Sequence, residues 1–387
     1  MNPPHVVCVS ADDRSLYRFR LPLLRAIQAK GWRATAVAPA GEYLPRFESA
    51  GVESREWRLN RRSLNPLMEV KSQVNLAGTI RSLRPDLVHS LTLKGNIYGT
   101  LAARIAGVPR VVATVTGLGS YFAGVRRTPA RCAIASLLRL SIPLADVTLF
   151  QNRADWNEMR GMGVSARRPG IAGSVGVDLD RFSPERFDQN DRSSRLRGYE
   201  IAGNPVVVTM ASRLLWDKGV REFCVAAGQI RRSLGNQVAF VLAGTPDLGN
   251  PNPVSPEYIK SVARSGDVSC VGWVDDIASL LAVTDIFVLP SYREGASVSL
   301  QEAQAMGLPV VVSDVPGCRE LVKDREDGSL VPPRNPAALA QAIRELVEDP
   351  DRRRSMGVAA RDKAVRNYDV RAASDRQIRL YQELIQS

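Results

Sequence analysis

Residues 286–306 of the chain read IFVLPSYREGASVSLQEAQAM, and they carry the clearest α/β pattern in the sequence. The apolar run Ile286–Leu289 ends at a proline, and after a short loop a helix-like segment runs from Leu300 to Met306. A short, continuous apolar run bounded by turn residues is typical of a strand that is buried on both faces of a parallel sheet. The stretch therefore predicts a strand end, a tight loop and a helix start, which is the repeating unit of α/β domains.

The loop between that strand and helix has the features of an anion site. The first backbone N–H groups of a helix lack intrahelical partners, and together with the helix dipole they attract groups such as phosphate. Glu294 lies in the loop, and Glu302 lies in the early turns of the predicted helix. Carboxylates accept hydrogen bonds from hydroxyl groups. A ligand that carries hydroxyl groups on both sides of a diphosphate is a nucleotide sugar, and the loop is suited to bind one.

The composition is that of a folded protein with two domains. A chain of 387 residues exceeds one ordinary core, and 44% hydrophobic with 24% charged residues is typical of globular proteins. No apolar run reaches the ~18–20 residues of a membrane span, and we expect no signal peptide before the first strand-like segment. The five cysteines form no Cys-x-x-Cys pair and there are two histidines, which predicts free thiols in a reducing cytosol and no metal site.

The positive charge is confined to the first half of the chain. Residues 1–185 contain 26 Lys or Arg against 14 Asp or Glu, whereas residues 186–387 contain 26 of each. No acidic residue lies between Asp86 and Asp146. Such a field suits an anionic membrane surface or a pyrophosphate-bearing acceptor, with a merely solvated face as the alternative. We expect no nucleic-acid partner, since no aromatic-rich strand or helix-turn-helix pattern accompanies the charge.

Short apolar strands alternate with helix-length segments through both halves. Strand patterns lie at His5–Ser10, Ala34–Ala38, Asp86–His89, Arg110–Val115, Val147–Gln151, Pro205–Met210, Val238–Ala243, Val268–Val271, Asp285–Leu289 and Val310–Ser313. This order predicts two doubly wound, Rossmann-like domains facing a central cleft, with ligands beyond the carboxyl ends of the strands. The polar, strand-free stretch Phe182–Asn204 is the predicted linker. We therefore expect domains at 1–185 and 186–369, and a terminal helix at 370–387 that packs back on the first domain.

Two cations follow the strand that opens the second half. Arg213 and Lys218 lie in the loop after that strand, where a ligand of such a domain binds. Positive charges there could neutralise a diphosphate as its bond to a sugar breaks. Taken alone, the loop could equally be an ordinary basic loop, but the two-carboxylate stretch on the same predicted sheet edge favours the anion site.

Three motifs in this order resemble the large retaining glycosyltransferase family four. They are Arg-x4-Lys-Gly at 213–219, Glu-x7-Glu at 294–302, and Ala-x-Gly-x-Pro-Val-Val-x-Ser-Asp at 305–314 followed by Pro316-Gly317. The resemblance covers essentially the whole chain. It implies the two-domain fold called GT-B, with acceptor binding in the first domain and nucleotide-sugar binding in the second.

The resemblance also implies a role for each matched residue. Arg213 and Lys218 would bind the donor diphosphate, and Glu294 would contact hydroxyls of the donor sugar, so that these three form the catalytic set. Glu302 would bind the ribose hydroxyls. The other implied donor-binding residues are Gly272, Trp273, Gly295, Ser297, Val298 and Ser299. Trp273 could stack on the base or belong to the core.

The first half is similar to a narrower subgroup that acts on polyprenyl-diphosphate-linked sugars in bacterial glycan assembly. The matching stretches are Leu93–Gly99 and Thr114–Gly119. They imply acceptor binding by Lys94, Asn96, Thr116 and Gly117, and a UDP-linked hexose or N-acetylhexosamine donor, best represented by UDP-GalNAc. Many family members have His-Gly where this chain has Thr116-Gly117. His89 follows a different strand, and we expect it to be structural.

The stretch 124–142 mixes basic and apolar residues. Arg126, Arg127, Arg131 and Arg139 alternate with leucines and isoleucines, which suits a helix that lies on a bilayer without crossing it. The alternative is an ordinary packed helix. With the charge asymmetry, the pattern predicts a cytoplasmic protein held peripherally at the inner face of the membrane. The oligomeric state is not fixed by the sequence.

The expected reaction moves a sugar to an acceptor hydroxyl with retention of the anomeric configuration. Positive side chains are expected to replace a divalent ion at the leaving diphosphate, so no metal or other cofactor is predicted. A phosphate oxygen of the donor could take the acceptor proton. The sequence leaves three alternatives: a UDP-sugar 2-epimerase of the same fold, a transferase with a soluble acceptor, and a non-catalytic lectin-like or scaffold protein.

Overall fold

The computed structural model describes residues 3–59, 65–118, 129–250 and 252–387. These residues form two compact units, of which unit 1 comprises Met1–Val175 with Val370–Ser387 and unit 2 comprises Gly176–Asp369. The strands are β1 (His5–Ser10), β2 (Arg33–Ala38), β3 (Glu53–Glu56), β4 (Leu87–Leu91), β5 (Arg110–Val115), β6 (Val147–Phe150), β7 (Pro169–Ile171), β8 (Val206–Ala211), β9 (Val238–Ala243), β10 (Ser269–Gly272), β11 (Ile286–Leu289), β12 (Val310–Ser313) and β13 (Gly328–Val331). The helices are α1 (Asp13–Ala29), α2 (Leu44–Ser49), α3 (Pro66–Leu83), α4 (Leu93–Ile105), α5 (Pro129–Ser141), α6 (Arg153–Gly161), α7 (Arg192–Gly198), α8 (Val220–Leu234), α9 (Pro256–Ser265), α10 (Ile277–Leu281), α11 (Val298–Ala305), α12 (Pro316–Arg319), α13 (Pro336–Glu348), α14 (Pro350–Asn367) and α15 (Val370–Gln386).

Each unit is built on one parallel sheet. The sheet of unit 1 has the order β3-β2-β1-β4-β5-β6-β7, and that of unit 2 has the order β10-β9-β8-β11-β12-β13. Every residue of β1, β4, β11 and β12 is buried, and burial on both faces of the sheet explains why β11 is a continuous apolar run rather than an alternating one. The prediction of two Rossmann-like α/β domains is confirmed.

The predicted linker is wrong. Residues 182–204 belong to unit 2, where α7 lies within the stretch and the side chains of Phe182, Leu196 and Ile201 are buried in a hydrophobic core. Val177 also pairs with Asp369. The first domain boundary therefore falls at 175/176 rather than at 185/186. The segment is mostly polar, but its few apolar side chains pack in the core of unit 2.

The terminal helix α15 completes unit 1. It packs against α1, and its Ile378, Tyr381 and Leu384 share a hydrophobic core with Leu24 and Ile27 of that helix. The five cysteines are free thiols. Among the described residues, no helix combines the length and the apolar character that crossing a bilayer requires.

Candidate functional site

The order of strands in unit 2 creates a topological switch point between β8 and β11. The chain leaves β8 for β9 on one side, and β11 lies on the other side of β8. In doubly wound sheets, ligands bind beyond the carboxyl ends of the strands at such a point. The loop after β8 contains Lys218 and the loop after β11 contains Glu294. Two residues predicted from separate motifs therefore meet at the position where this fold binds ligands.

Lys218 and Glu294 form a largely buried ion pair. Lys218 Nζ lies 2.6 Å from Glu294 Oε1, and the two side chains are 19% and 7% exposed. Ser291 Oγ donates to the same carboxylate oxygen at 2.6 Å. No other residue in the described part of the chain accepts a hydrogen bond from the Lys218 ammonium group. Because an ammonium group has three N–H donors, two stay available to an anion.

Two glycines bring the loops of this site into contact. Gly219 has φ +77°, and a Cβ there would overlap the carbonyl oxygen of Pro290. Gly317 in α12 approaches the Glu294 and Gly295 carbonyls in the same way. Only a residue without a side chain fits at such close backbone approaches. The Lys-Gly and Pro-Gly pairs of the sequence motifs thus have a packing reason: they position the chain on both sides of the ion pair.

The helix α11 begins beside this ion pair. Ser297 caps it, and its side chain accepts a hydrogen bond from the Leu300 N–H. Val298 and Ser299 lie in the first turn, where backbone N–H groups have no intrahelical acceptor. Glu302 lies one turn further along and is half-buried. The predicted strand, loop and helix start are confirmed as local structure, while the contacts of these residues to a donor stay predictions.

Arg213 lies in the same loop as Lys218 but contacts a different carboxylate. Its Nη1 is 3.0 Å from Asp247 Oδ2, and its side chain is half-exposed. No sequence pattern singled out Asp247, which follows β9 on the far side of β8. The pairing leaves the guanidinium accessible at the carboxyl edge of the sheet. Its role toward a diphosphate stays a prediction.

The end of β10 adds a third loop at this edge of the sheet. The carbonyl of Gly272 accepts a hydrogen bond from the Gly244 N–H at 2.6 Å, which ties β10 to the loop after β9. Trp273 is half-buried, and its indole N–H donates to Asp275 at 2.9 Å. Stacking of Trp273 on a base stays a prediction.

The predicted acceptor residues of unit 1 lie near the start of α4 and after β5. Lys94 Nζ is 3.2 Å from Glu69 and 5.5 Å from the centre of the Tyr98 ring. Asn96 is fully buried and donates its amide to the carbonyl of Thr114 at 2.9 Å. Asn96 therefore joins α4 to β5, which the sequence did not indicate.

Thr116 and Gly117 follow β5 directly, and both are half-buried. Gly119, the last residue of the motif that contains them, lies outside the described residues. The acceptor roles of Lys94, Asn96, Thr116 and Gly117 stay predictions.

His89 is a buried, neutral side chain. Its Nδ1 is 2.5 Å from the Tyr381 hydroxyl and its Nε2 is 2.6 Å from Thr114 Oγ1. Burial, and secondarily the charge of Arg20, holds the pKa of His89 well below its usual value. The imidazole thus connects β4, β5 and α15, as expected for a structural histidine.

The predicted interfacial helix is partly described. Arg126 and Arg127 lie outside the described residues. In α5, Leu138 is fully buried, whereas Leu137 and Leu140 are 42% and 70% exposed. Arg131 pairs with Glu158, and Arg139 donates to the carbonyl of Met162. The helix therefore packs on one side and presents leucines on the other.

Two family models match the chain. The model described as glycosyl transferases group 1 matches residues 191–363, and the model described as glycosyl transferase 4-like matches residues 6–142. The first covers nearly all of unit 2, and the second covers most of unit 1.

Curated relatives match over most of their length. The chain is 33% identical over 381 residues to the N,N'-diacetylbacillosaminyl-diphospho-undecaprenol alpha-1,3-N-acetylgalactosaminyltransferase of Campylobacter jejuni, covering 98% of both proteins. It is 29% identical over 290 residues to the UDP-Gal:alpha-D-GlcNAc-diphosphoundecaprenol alpha-1,3-galactosyltransferase of Escherichia coli, covering 74% of this chain and 73% of that protein.

A solved structure shares the fold. Anabaena Alr3699/HepE in complex with UDP and glucose superposes with a TM-score of 0.80 at 21% identity, covering 98% of this chain and 99% of that one.

Proposed function

The chain belongs to the glycosyl transferases group 1 family, and we propose that it moves a hexose or N-acetylhexosamine from a nucleoside diphosphate to a polyprenyl-diphosphate-linked sugar. It is a glycosyltransferase with the GT-B fold. The donor proposed is UDP-GalNAc or a related UDP-N-acetylhexosamine, and the pathway is the assembly of a bacterial surface polysaccharide or glycoprotein glycan. The observation that carries the proposal is the Lys218–Glu294 pair at the switch point of unit 2.

The two members of this pair would bind different parts of the donor. Lys218 has two N–H donors left for the diphosphate, and Arg213 adds a second positive charge in the same loop. Glu294 would accept hydrogen bonds from hydroxyls of the transferred sugar. As the glycosidic bond breaks, negative charge grows on the diphosphate, and fixed cations and helix N–H groups stabilise that charge without reorganising. The α-configured products in the names of both relatives agree with retention.

We propose that the reaction needs no divalent ion, because Arg213 and Lys218 supply the positive charge at the leaving group. Transfer should therefore continue at an unchanged rate after dialysis against EDTA. The measurement is the initial rate before chelation, after chelation, and after addition of Mg²⁺ or Mn²⁺. A rate that falls more than tenfold on chelation and returns with either ion would overturn this part of the proposal.

The acceptor is proposed to bind unit 1. Unit 1 contains 28 Lys or Arg against 13 Asp or Glu, whereas unit 2 contains 24 against 27. A positive unit suits a diphosphate-bearing acceptor and the anionic surface in which such a lipid is embedded. The relative with 98% coverage has a diphospho-undecaprenol acceptor in its name.

The outer helices of unit 1 supply an apolar contribution to membrane binding. The helix α4 packs against α3 and α5. We call the exposed apolar residues on these three helices the outer helix surface: Leu67, Met68, Val70, Val74, Leu101, Ile105, Leu137 and Leu140. A protein that exposes apolar side chains within a positive surface suits peripheral association with an anionic bilayer. We propose that this surface contacts the inner face of the cytoplasmic membrane.

The test is a panel of UDP- and GDP-sugars, each offered with a polyprenyl-diphosphate-linked sugar and scored by product mass. The proposal predicts a product one N-acetylhexosamine or hexose heavier, with UDP donors preferred. Incubation with donor alone separates an epimerase, which would convert the sugar without an acceptor. Transfer to a soluble sugar at the same rate as to the lipid-linked one would overturn the acceptor assignment.

A further inference from the structure

Unit 1 contains a cavity that the sequence motifs did not indicate. Its volume is about 190 Å³, and it lies at the carboxyl ends of β5, β6 and β7, between α1 and α15. Its polar lining includes Arg20, Gln151 and Arg376, and its apolar lining includes Phe19 and Ile171. None of the described residues that line it is acidic.

The charge of Arg20 is buried and uncompensated. The residue is 9% exposed, and within the described residues its guanidinium has no ion pair and no hydrogen bond. The titratable groups that interact electrostatically with Arg20 are Cys8, Tyr381 and His89. Burial raises the pKa of Cys8 to about 12, raises that of Tyr381 well above its usual value and lowers that of His89, so none of the three carries a negative charge at pH 7. Proteins rarely bury an ionised group without a partner, because desolvation of the charge is costly. The cavity therefore has a cation for which the described residues supply no counterion.

A helix start adds to the positive field of the cavity. Val370, Ala373 and Ser374, all in the first two turns of α15, line it. The N-terminus of a helix is positive, and its backbone N–H groups are donors to anions. Two independent features, a buried guanidinium and a helix N-terminus, thus favour an anion in the same space.

We propose that this cavity binds the diphosphate of the lipid-linked acceptor, with Arg20 as its counter-cation. A guanidinium presents paired N–H donors that match phosphate oxygens. Phe19 and Ile171 are 38% and 47% exposed, and they offer an apolar surface to the first isoprene units of the carrier. The identity of the ligand rests on the proposed function, but the assignment of an anion does not.

The experiment compares the full chain with Arg20→Met and a control, Arg25→Met. Arg25 is an exposed arginine on the same helix and does not line the cavity. Binding of farnesyl diphosphate, farnesol and inorganic pyrophosphate is measured by calorimetry. Arg20→Met should weaken farnesyl diphosphate binding at least tenfold, leave farnesol unchanged, and raise the KM for the lipid-linked acceptor without changing the KM for the donor. Arg25→Met should behave as wild type.

A second measurement separates ligand binding from a structural role. Removing an uncompensated buried charge relieves its desolvation, so ligand-free Arg20→Met should unfold at the same or a higher temperature than wild type. Farnesyl diphosphate should raise the unfolding temperature of wild type and not that of Arg20→Met. A lower unfolding temperature for the ligand-free variant, or equal diphosphate affinity in wild type and variant, would overturn the proposal.

The outcomes also separate this inference from the proposed function. If inorganic pyrophosphate binds as tightly as farnesyl diphosphate, the assignment to a lipid carrier is wrong. If Arg20→Met loses diphosphate binding while wild type transfers no sugar to any lipid-linked acceptor, the anion site stands and the proposed function fails.

Discussion

Among single residues, the ion pair of Lys218 with Glu294 is the central feature of the proposed donor site. Their side chains are separated by 76 positions in the sequence and meet only because β8 and β11 are neighbours in the sheet. The motifs predicted that both residues bind a donor. They could not predict that the two bind each other, because that contact depends on strand order.

Replacing Lys218 by Met should lower both activity and stability. The leaving diphosphate loses a fixed cation, so we expect kcat/KM to fall about 100-fold or more, on the order of 3 kcal/mol. Glu294 is left buried without its ammonium partner, so the free energy of unfolding should fall by roughly 3 kcal/mol. Both are measured by initial rates and urea unfolding at pH 7.5.

Two further variants complete that test. Lys260→Met removes an exposed lysine from α9 and should change neither quantity. Glu294→Gln in the Lys218→Met background should recover most of the lost stability and none of the activity, since it removes the unpaired charge but not the need for a cation. Full activity in Lys218→Met would contradict the assigned role.

At the scale of elements, the close approach of Gly219 to the loop after β11 holds the site together. Gly219→Ala places a Cβ against the Pro290 carbonyl and also strains a backbone at φ +77°. Gly266 has φ +75° with no atom near its missing Cβ, so Gly266→Ala isolates the backbone strain, about 1–2 kcal/mol. We expect Gly219→Ala to lose more unfolding free energy than Gly266→Ala and to raise the donor KM. Equal losses of unfolding free energy in the two variants, with an unchanged donor KM in Gly219→Ala, would show that the close contact of Gly219 with Pro290 is unimportant.

The link of β4, β5 and α15 through His89 predicts acid sensitivity. Its folded pKa lies well below the unfolded value of about 6.5, so below that pH the unfolded chain takes up a proton that the folded chain does not. Stability is therefore complete above pH 6.5 and is lost as the pH falls, by about 1.4 kcal/mol per pH unit. His5, whose pKa is also lowered by burial, contributes in the same direction.

The measurement is the free energy of unfolding of wild type and of His89→Gln between pH 5 and 7.5. In the variant, the free energy of unfolding should fall less steeply with decreasing pH, because one of the two histidines no longer contributes. An equal slope in both proteins would contradict the buried, neutral state of His89.

The elements that the sequence predicted well are those whose pattern is local. Strands such as Val310–Ser313 are continuous apolar runs, and they lie where expected. The segment 182–204 was misread because its three apolar anchors are separated by polar residues, and only the fold shows that they share a core. The sequence did not indicate Arg20 and Asp247 as site residues for the same reason. Arg20 is buried by α15, and Asp247 is near Arg213 because β9 neighbours β8, and both relations are properties of the tertiary structure.

At the scale of the whole molecule, the charge difference between the units predicts where a membrane binds. Liposomes containing anionic lipid should sediment the full chain at low salt and less of it at high salt, because salt screens the electrostatic part. Val74→Asp and Leu140→Asp, both on the outer helix surface, should reduce binding at either salt concentration. Val358→Asp changes an apolar position on α14 of unit 2 that is also exposed, and it should not reduce binding. Equal loss from all three variants would contradict the proposed surface.

We propose that the diphosphate of a nucleotide sugar binds unit 2 at the Lys218–Glu294 pair. The decisive measurement is a crystal structure of the chain with UDP-N-acetylgalactosamine. We expect diphosphate oxygens within hydrogen-bonding distance of Lys218 Nζ and of the first N–H groups of α11, with sugar hydroxyls donating to Glu294. A well-ordered diphosphate bound elsewhere, with the ion pair untouched, would contradict it.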